Sequence, residues 1–320
     1  MVRFGILGTA KIAQAFLGHR FENAEILAVA SRDPSKARAF AAKHGISRFY
    51  GSYERVLADP DIDAVYIPLP QHLHCEYVIK AAEARKHVLV EKPAALSVSE
   101  IERMMVSCEN NGVLFMEAFM YRFKRLHHRV KEIIESGLIG KLHYIDFNWC
   151  FNIHKLARSD FRLKRETGGG ALYDLGVYGV DFFRFVAGRE PRLNEAYVRR
   201  DSPDGVDTFS HVICTIGDIC AAMTCGFTSD ANYYVVSGEL GSIYVPGSLS
   251  GRYVENLLQV HLHEGDNRYE ECFAPENPYV NELEYFARCV ESGQVPTPGF
   301  GDSLGNLKFI EAIFRHAEMA

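Results

Sequence analysis

The chain opens on a short apolar run, Val2 to Leu7, then a turn of small residues, then AKIAQAFLGHR, whose spacing permits a helix. The same alternation continues. AEILAVAS predicts a strand, and DPSKARAFAAKHG a helix that starts at Asp33-Pro34 and stops at Gly45. SYERVLADP predicts a short helix, DAVYIPLP a strand, HLHCEYVIKAAEARK a helix and HVLVEKP a strand. SVSEIERMMVSCENNG predicts a helix capped by Ser97 or Ser99, and VLFMEAFMYRF closes the series. Strands this continuously apolar predict burial on both faces, hence a parallel sheet flanked by helices.

After residue 123 the pattern changes. LHYIDFNWCF, EAYVRRD, DTFSHVICTI, ICAAMTCGFTS, NYYVVSGE, GSIYVPG and NLLQVHLHEG follow one another with short turns, which predicts an antiparallel sheet. GGALYDLGVYGVDFFRFVAG interrupts it as a helical segment, and PYVNELEYFARCVESG and SLGNLKFIEAIFRHAE predict two closing helices. The boundary is a change of pattern without a linker, so the expected domains are 1–122 and 123–320. The late strands are apolar on more than one face, which predicts a homodimer, or a dimer of dimers, formed through the sheet.

Composition narrows the classes. The 320 residues are 48% hydrophobic and 24% charged, ordinary values for a globular chain. A net charge of −6 argues against nucleic acid or an anionic membrane surface as the main partner. No run is long and apolar enough for a membrane span. The eight cysteines, at 75, 108, 150, 214, 220, 225, 272 and 289, form no CxxC pair and predict reduced thiols in a cytoplasmic protein. His72 and His74 lack further ligands in pattern, so no metal is expected. His127 and His128 read as a solvated helix face, and Trp149 as packing at an interface or cleft wall.

Three stretches carry candidate chemistry. The first turn reads Gly8-Thr9-Ala10-Lys11-Ile12-Ala13, a dinucleotide fingerprint with alanine at its middle glycine. Backbone N–H groups and a helix start remain to hold phosphate. The second strand ends in Ser31-Arg32, where NAD sites usually place a carboxylate for the ribose 2′-hydroxyl. A hydroxyl and a guanidinium suit a 2′-phosphate, with Lys36 nearby, so NADP is expected over NAD. The competing reading is a solvated basic loop with Asp33 capping a helix. Lys92, in VLVEKPAAL, follows an apolar strand and so stands at the carboxyl edge of a sheet, or is simply a surface lysine. In GGGALYDLGVYG, Asp174 and Tyr178 share a face if the segment is helical, and a phenol can exchange protons with a hydroxyl or carbonyl. Alternatively Tyr178 is a core residue.

Together GILGTAKIA, AVASRD, IPLPQHLH, EKPAA, MEAFMYRF and GGGALYDLGVYGVD run in an order that resembles the Gfo/Idh/MocA oxidoreductase family across the whole chain. The branch it resembles contains glucose-fructose oxidoreductase, NADP-dependent xylose dehydrogenase and dimeric dihydrodiol dehydrogenase. The resemblance implies an α/β Rossmann domain followed by an α+β domain with a large, mostly antiparallel, open-faced sheet. It implies hydride transfer between NADP(H) and a hydroxyl or carbonyl carbon of a sugar, cyclitol or related diol. Lys92, Tyr178 and Asp174 are then the catalytic residues, with Tyr178 where many members carry histidine. Cofactor contacts are implied for Gly8, Thr9, Ala10, Lys11, Ile12, Ser31, Arg32, Lys36, Pro68, Leu69, His72, His74, Glu91, Lys92 and Arg162. Tyr121 and Arg122 are expected to line the substrate cleft with Asp174 and Tyr178. HKLARSDFRLKRETGGG is richer in cations than this branch leads one to expect. Two other activities fit the family: an NADP-binding regulator without turnover, and a nicotinamide-dependent glycosidase. The Lys92/Tyr178 pair argues against the first and the Ser31-Arg32 tip against the second.

Overall fold

A computed structural model describes residues 1–153, 160–202, 205–247, 249 and 256–319. The chain forms two compact units, Met1–Met120 with Asn277–Leu304, and Tyr121–Glu276 with Gly305–Ala320.

The first unit alternates strand and helix: β1 (Val2–Leu7), β2 (Ala24–Ala30), α1 (Pro34–His44), β3 (Arg48–Tyr50), α2 (Tyr53–Leu57), β4 (Ala64–Ile67), α3 (His74–Glu83), β5 (His87–Glu91), α4 (Val98–Asn111) and β6 (Phe115–Ala118). The six strands pair in parallel in the order β3-β2-β1-β4-β5-β6. That is the Rossmann order, and the direction of winding reverses between β1 and β4, where such sheets open a crevice at their carboxyl ends. Phe4, Ile6, Val65, Ile67, Val88 and Val90 are fully buried in the middle strands. Each such side chain contributes about 1.5–3 kcal/mol by leaving water. The segment expected as a helix after Gly8 is only a 3-10 turn, Ile12–Ala15. Ser97 is the cap of α4, accepting from the N–H of Glu100 at 3.3 Å.

The second unit contains α5 (Arg125–Glu135), β7 (Leu142–Cys150), α6 (Val177–Ala187), β8 (Arg192–Arg200), β9 (Asp207–Ile216), β10 (Ile219–Gly226), β11 (Ala231–Gly238), β12 (Gly241–Pro246), β13 (Asn256–Leu262) and β14 (Asn267–Phe273). Its sheet runs β14-β13-β12-β11-β7-β10-β9-β8, antiparallel except for the β7–β10 pair. On one face, Phe182 of α6 packs on Tyr234 and Phe147, with ring centroids 4.3 and 5.6 Å apart. A Cβ at Gly179 would lie 2.3 Å from Met223 Sδ, so the α6 backbone rests directly on the sheet. The strand register puts Tyr144, Ile213, Tyr197 and Tyr244 together on the opposite face, where all four are exposed. The short strands β3 and β14 were not expected. RFY is brief, and NRYEECF is too polar to show an apolar face.

Two helices close the chain, α7 (Pro278–Ser292) and α8 (Phe300–Met319). Sequence pattern put everything after 122 together, but α7 packs with the first unit, where Phe286 lies 6.2 Å from Phe4. No helix among the described residues is long and apolar enough to cross a membrane. One expectation is overturned in α5. His127 is fully buried, its Nδ1 2.9 Å from the Tyr234 hydroxyl and its ring edge-on to Tyr121. Only His128 is exposed. Adjacent helical residues point about 100° apart, so one histidine faces the sheet and the other faces water.

Candidate functional site

In the first unit the candidate residues gather at the carboxyl ends of the strands. Gly8 has φ 113°, a conformation that side chains rarely adopt. Its N–H donates to Ala30 O at 2.9 Å, tying the β1 and β2 tips together. Thr9, Ala10 and Ile12 are partly exposed, and Lys11 is exposed. At the β2 tip, Asp33 is committed to its own helix, accepting from the Ser35 hydroxyl at 2.6 Å and from the Ser35 and Lys36 N–H groups. The Ser35 hydroxyl bond, more than any other contact, holds the Asp33 carboxyl below its usual range. Ser31 is buried, its hydroxyl accepting from Asp33 N–H, while Arg32 and Lys36 are exposed. The tip therefore offers cations and keeps its carboxylate turned to the helix. That donor set fits a ribose 2′-phosphate, and the positive-φ turn at Gly8 fits a close approach of pyrophosphate.

Lys92 follows β5 at a turn braced on both sides. Before it, Glu91 accepts from the buried Tyr66 hydroxyl at 2.5 Å. After it, Ala94 N–H donates to Glu117 at 2.8 Å, and Ser303 holds the other Glu117 oxygen. His74 completes the brace, with Nδ1 2.9 Å from Pro93 O and Nε2 2.7 Å from Leu69 O. The ring is fully buried, and burial pushes its pKa down to about 4, so at pH 7 it is neutral and its single N–H donates to one of these two carbonyls. His74 thus fills the space between the Pro68-Leu69 loop and the lysine turn, with both ring nitrogens turned to the backbone. His72 is exposed. Tyr66, Glu117 and Ser303 escaped sequence reasoning. A buried acid between apolar residues, as in FMEAF, was the available signal for Glu117.

In the second unit the three glycines explain themselves. Gly168, at φ 79°, ends the turn Arg165–Thr167. A Cβ on Gly169 would meet Arg162 O at 2.4 Å, and one on Gly170 (φ 123°) would meet Asp207 Oδ1 at 2.1 Å. Without those Cβ atoms the loop carrying Arg162 closes on the residues before the next helix, where Gly169 and Gly170 N–H donate to Lys164 O and Arg162 O at 2.9 and 3.0 Å. That helix begins as a π-turn, Leu172–Gly176, before α6. Asp174 and Tyr178 therefore do not follow a plain α-helical i,i+4 face. Such turns are frequent at functional sites.

The buried Asp174 carboxylate accepts from Arg162 Nε at 2.9 Å. Arg162 also reaches Asp160 at 3.2 Å and stacks over Phe161 at 4.6 Å. Tyr178 is 4% exposed, its ring 4.6 Å from Trp149 and 5.9 Å from Tyr121. Tyr121 and Arg122 are turned to Asp181. The Tyr121 hydroxyl donates at 2.5 Å, Arg122 forks onto both oxygens at 2.7 and 2.8 Å, and Asn306 adds a bond at 3.1 Å. These two residues form a buried wall with their polar ends on Asp181, and the Tyr121 ring lies beside Tyr178. Residues 154–159 of the cation-rich stretch lie outside the described residues. No metal-like cluster occurs among the described residues.

The comparisons agree with this architecture. Residues 2–119 match an oxidoreductase family with an NAD-binding Rossmann fold, GFO/IDH/MocA, and residues 127–244 match the GFO/IDH/MocA C-terminal domain. Over 322 residues the chain is 37% identical to D-xylose 1-dehydrogenase (NADP(+)) 2 of Haloferax volcanii, covering 98% of this chain and 97% of the relative. A solved 3-ketoreductase from Actinomadura kijaniata, in complex with NADP and TDP-benzene, is similar with TM-score 0.90 and 26% identity, covering 98% and 97% of the two chains. Aldose-aldose oxidoreductase from Caulobacter crescentus, complexed with glycerol, is similar with TM-score 0.91 and 27% identity, covering 99% and 98%. With both halves matched in order, the chain belongs to the GFO/IDH/MocA family of oxidoreductases.

Proposed function

We propose that the protein is an NADP(H)-dependent dehydrogenase or reductase acting at a hydroxyl or carbonyl carbon of a sugar, cyclitol or related diol. The observation that carries this reading is the lysine turn. A flexible cation stands at the carboxyl end of a Rossmann strand, held by Glu91, His74 and Glu117, where a surface lysine would need no such brace. When bound, the nicotinamide supplies or accepts the hydride. Lys92 donates to the reacting oxygen and stabilises negative charge developing there. Tyr178 passes the proton as general acid or base. Asp174, oriented by Arg162, aligns the substrate. Ser31, Arg32 and Lys36 hold the 2′-phosphate, and the Gly8 to Ile12 turn holds the pyrophosphate.

The named relatives support the substrate class: one is a xylose dehydrogenase, another a 3-ketoreductase, a third an aldose-aldose oxidoreductase. The exposed aromatic face of the second sheet supports a twofold dimer, or a dimer of dimers, formed through that face. Eight free cysteines support a cytoplasmic location. The test is NADP+ reduction, followed by absorbance, over aldoses, inositols, aminosugars and trans-diols, with the reverse reaction over the matching carbonyls. Tight NADP binding with no turnover on any of them would favour a non-catalytic regulator.

A further inference from the structure

Asp207, the first residue of β9, lies on the covered side of the second sheet and is 2% exposed. Its Oδ2 accepts from Leu172 N–H at 2.7 Å, and Ala171 N–H also donates to it. Its Oδ1 occupies the space that a side chain at residue 170 would need, so only glycine fits at 170 beside Asp207. The carboxylate thus closes on the first turn of Leu172–Gly176, the segment that carries Asp174 and leads into Tyr178. An asparagine or serine would cap a helix start without burying a charge. A buried carboxylate makes stronger, charge-assisted bonds to the N–H groups at that helix start.

We propose that Asp207 is a positioning residue for the redox chemistry: its carboxylate clamps the Ala171-Leu172 backbone and so sets where the Asp174 carboxylate and the Tyr178 phenol stand. This rests on the reading of Tyr178 as the proton carrier. The titratable groups facing it are Arg200 from β8 and the Cys225 thiol from β10, and Cys225 in turn faces Asp174 with its partner Arg162. Burial outweighs the N–H bonds and the Arg200 charge, and raises the Asp207 pKa to about 6. The clamp is therefore fully charged only above that pH. The sign for stability is opposite. A carboxyl whose folded pKa exceeds its unfolded value costs stability once ionised, so the fold holds this charge at its own expense.

The experiment measures kcat and KM for Asp207→Asn and Tyr178→Phe on both sides of pH 6, with thermal melting and NADP titration. Asp207→Asn should lower kcat about ten- to a hundredfold, the scale of a small misplacement of reacting groups. NADP affinity should be unchanged, the acid limb of kcat near pH 6 should disappear, and the melting temperature above pH 6 should not fall. Unchanged kcat in Asp207→Asn, or a loss matched by loss of folded protein, overturns the clamp. Full turnover in Tyr178→Phe overturns instead the reading beneath it. If Asp207→Asn does not fold, amide exchange at Leu172 in the unmodified protein decides. Protection beyond the intrinsic rate should rise as pH passes 6, and pH-independent protection overturns the clamp.

Discussion

The guanidinium of Arg162 sits 2.9 Å from the carboxylate of Asp174, on a loop folded back by three glycines. Asp174 is buried and Arg162 mostly so, so neither charge is easily left alone. Arg162→Met should strand the Asp174 carboxylate and lower kcat/KM on the true substrate by about tenfold or more. Arg162→Lys should recover only part, because a point charge cannot reproduce a fork that also bonds Asp160. Steady-state kinetics decide, and equal losses for the two variants would count against the forked geometry.

Lys92→Ala and Tyr178→Phe should each lower kcat by about 10²–10⁴, the usual range for lost acid–base catalysis. Their double variant should lose less than the product of the two, since groups acting on one oxygen work as a unit. Tyr178→Phe keeps the ring that packs on Trp149, so lost packing would not explain its defect. Near-normal turnover in Tyr178→Phe would move the proton-carrier role to Lys92 or to a water held by Asp174.

Arg32→Ala should reduce NADP affinity by about ten- to a hundredfold and leave NAD affinity nearly unchanged. Asp33→Asn should not convert the enzyme to NAD, because that carboxylate is spent capping α1. Fluorescence titration with both nucleotides measures this. Equal affinities of the unmodified protein for NADP and NAD would refute the assignment of the β2 tip.

Arg122→Met should destabilise the fold by about 3–5 kcal/mol, the cost of removing one partner of a buried ion pair. Asp181 is fully buried and would keep only Tyr121 and Asn306. Substrate KM in the surviving folded fraction should change little if Arg122 is a wall residue. A large KM increase with normal stability would restore it to the substrate cleft. Denaturant melts and kinetics on one preparation separate the two.

Light scattering at micromolar concentration should give a dimer or larger assembly. Charges introduced at Tyr144 and Ile213, both exposed on the open sheet face, should shift it toward monomer. A monomer for the unmodified chain would leave that face without its proposed partner.

Sequence by itself determined the fold class. Runs as apolar as DAVYIPLP and HVLVEKP, alternating with helical patterns, read as buried strands, and the change of period after residue 123 marked where antiparallel pairing begins. It also singled out the stretches proposed to carry chemistry, because a positive-φ turn at Gly8, a Ser31-Arg32 tip and three consecutive glycines are local demands written in local residues. Tertiary structure decided what each polar side chain does. Arg122 and Tyr121 read as cleft residues, but they meet Asp181, some sixty positions away, which no local spacing reveals. His127 read as solvated and His74 as a cofactor contact. One instead faces Tyr234 across the core, and the other lies between carbonyls of two separate loops. The pairing of Gly170 with Asp207 likewise joins a helix start to a strand 37 residues on. The division has one physical cause. The apolar periodicity of a strand or helix and its backbone conformation are set by neighbours in the chain, whereas hydrogen bonds and buried charges are satisfied by whatever the fold brings within about 3 Å.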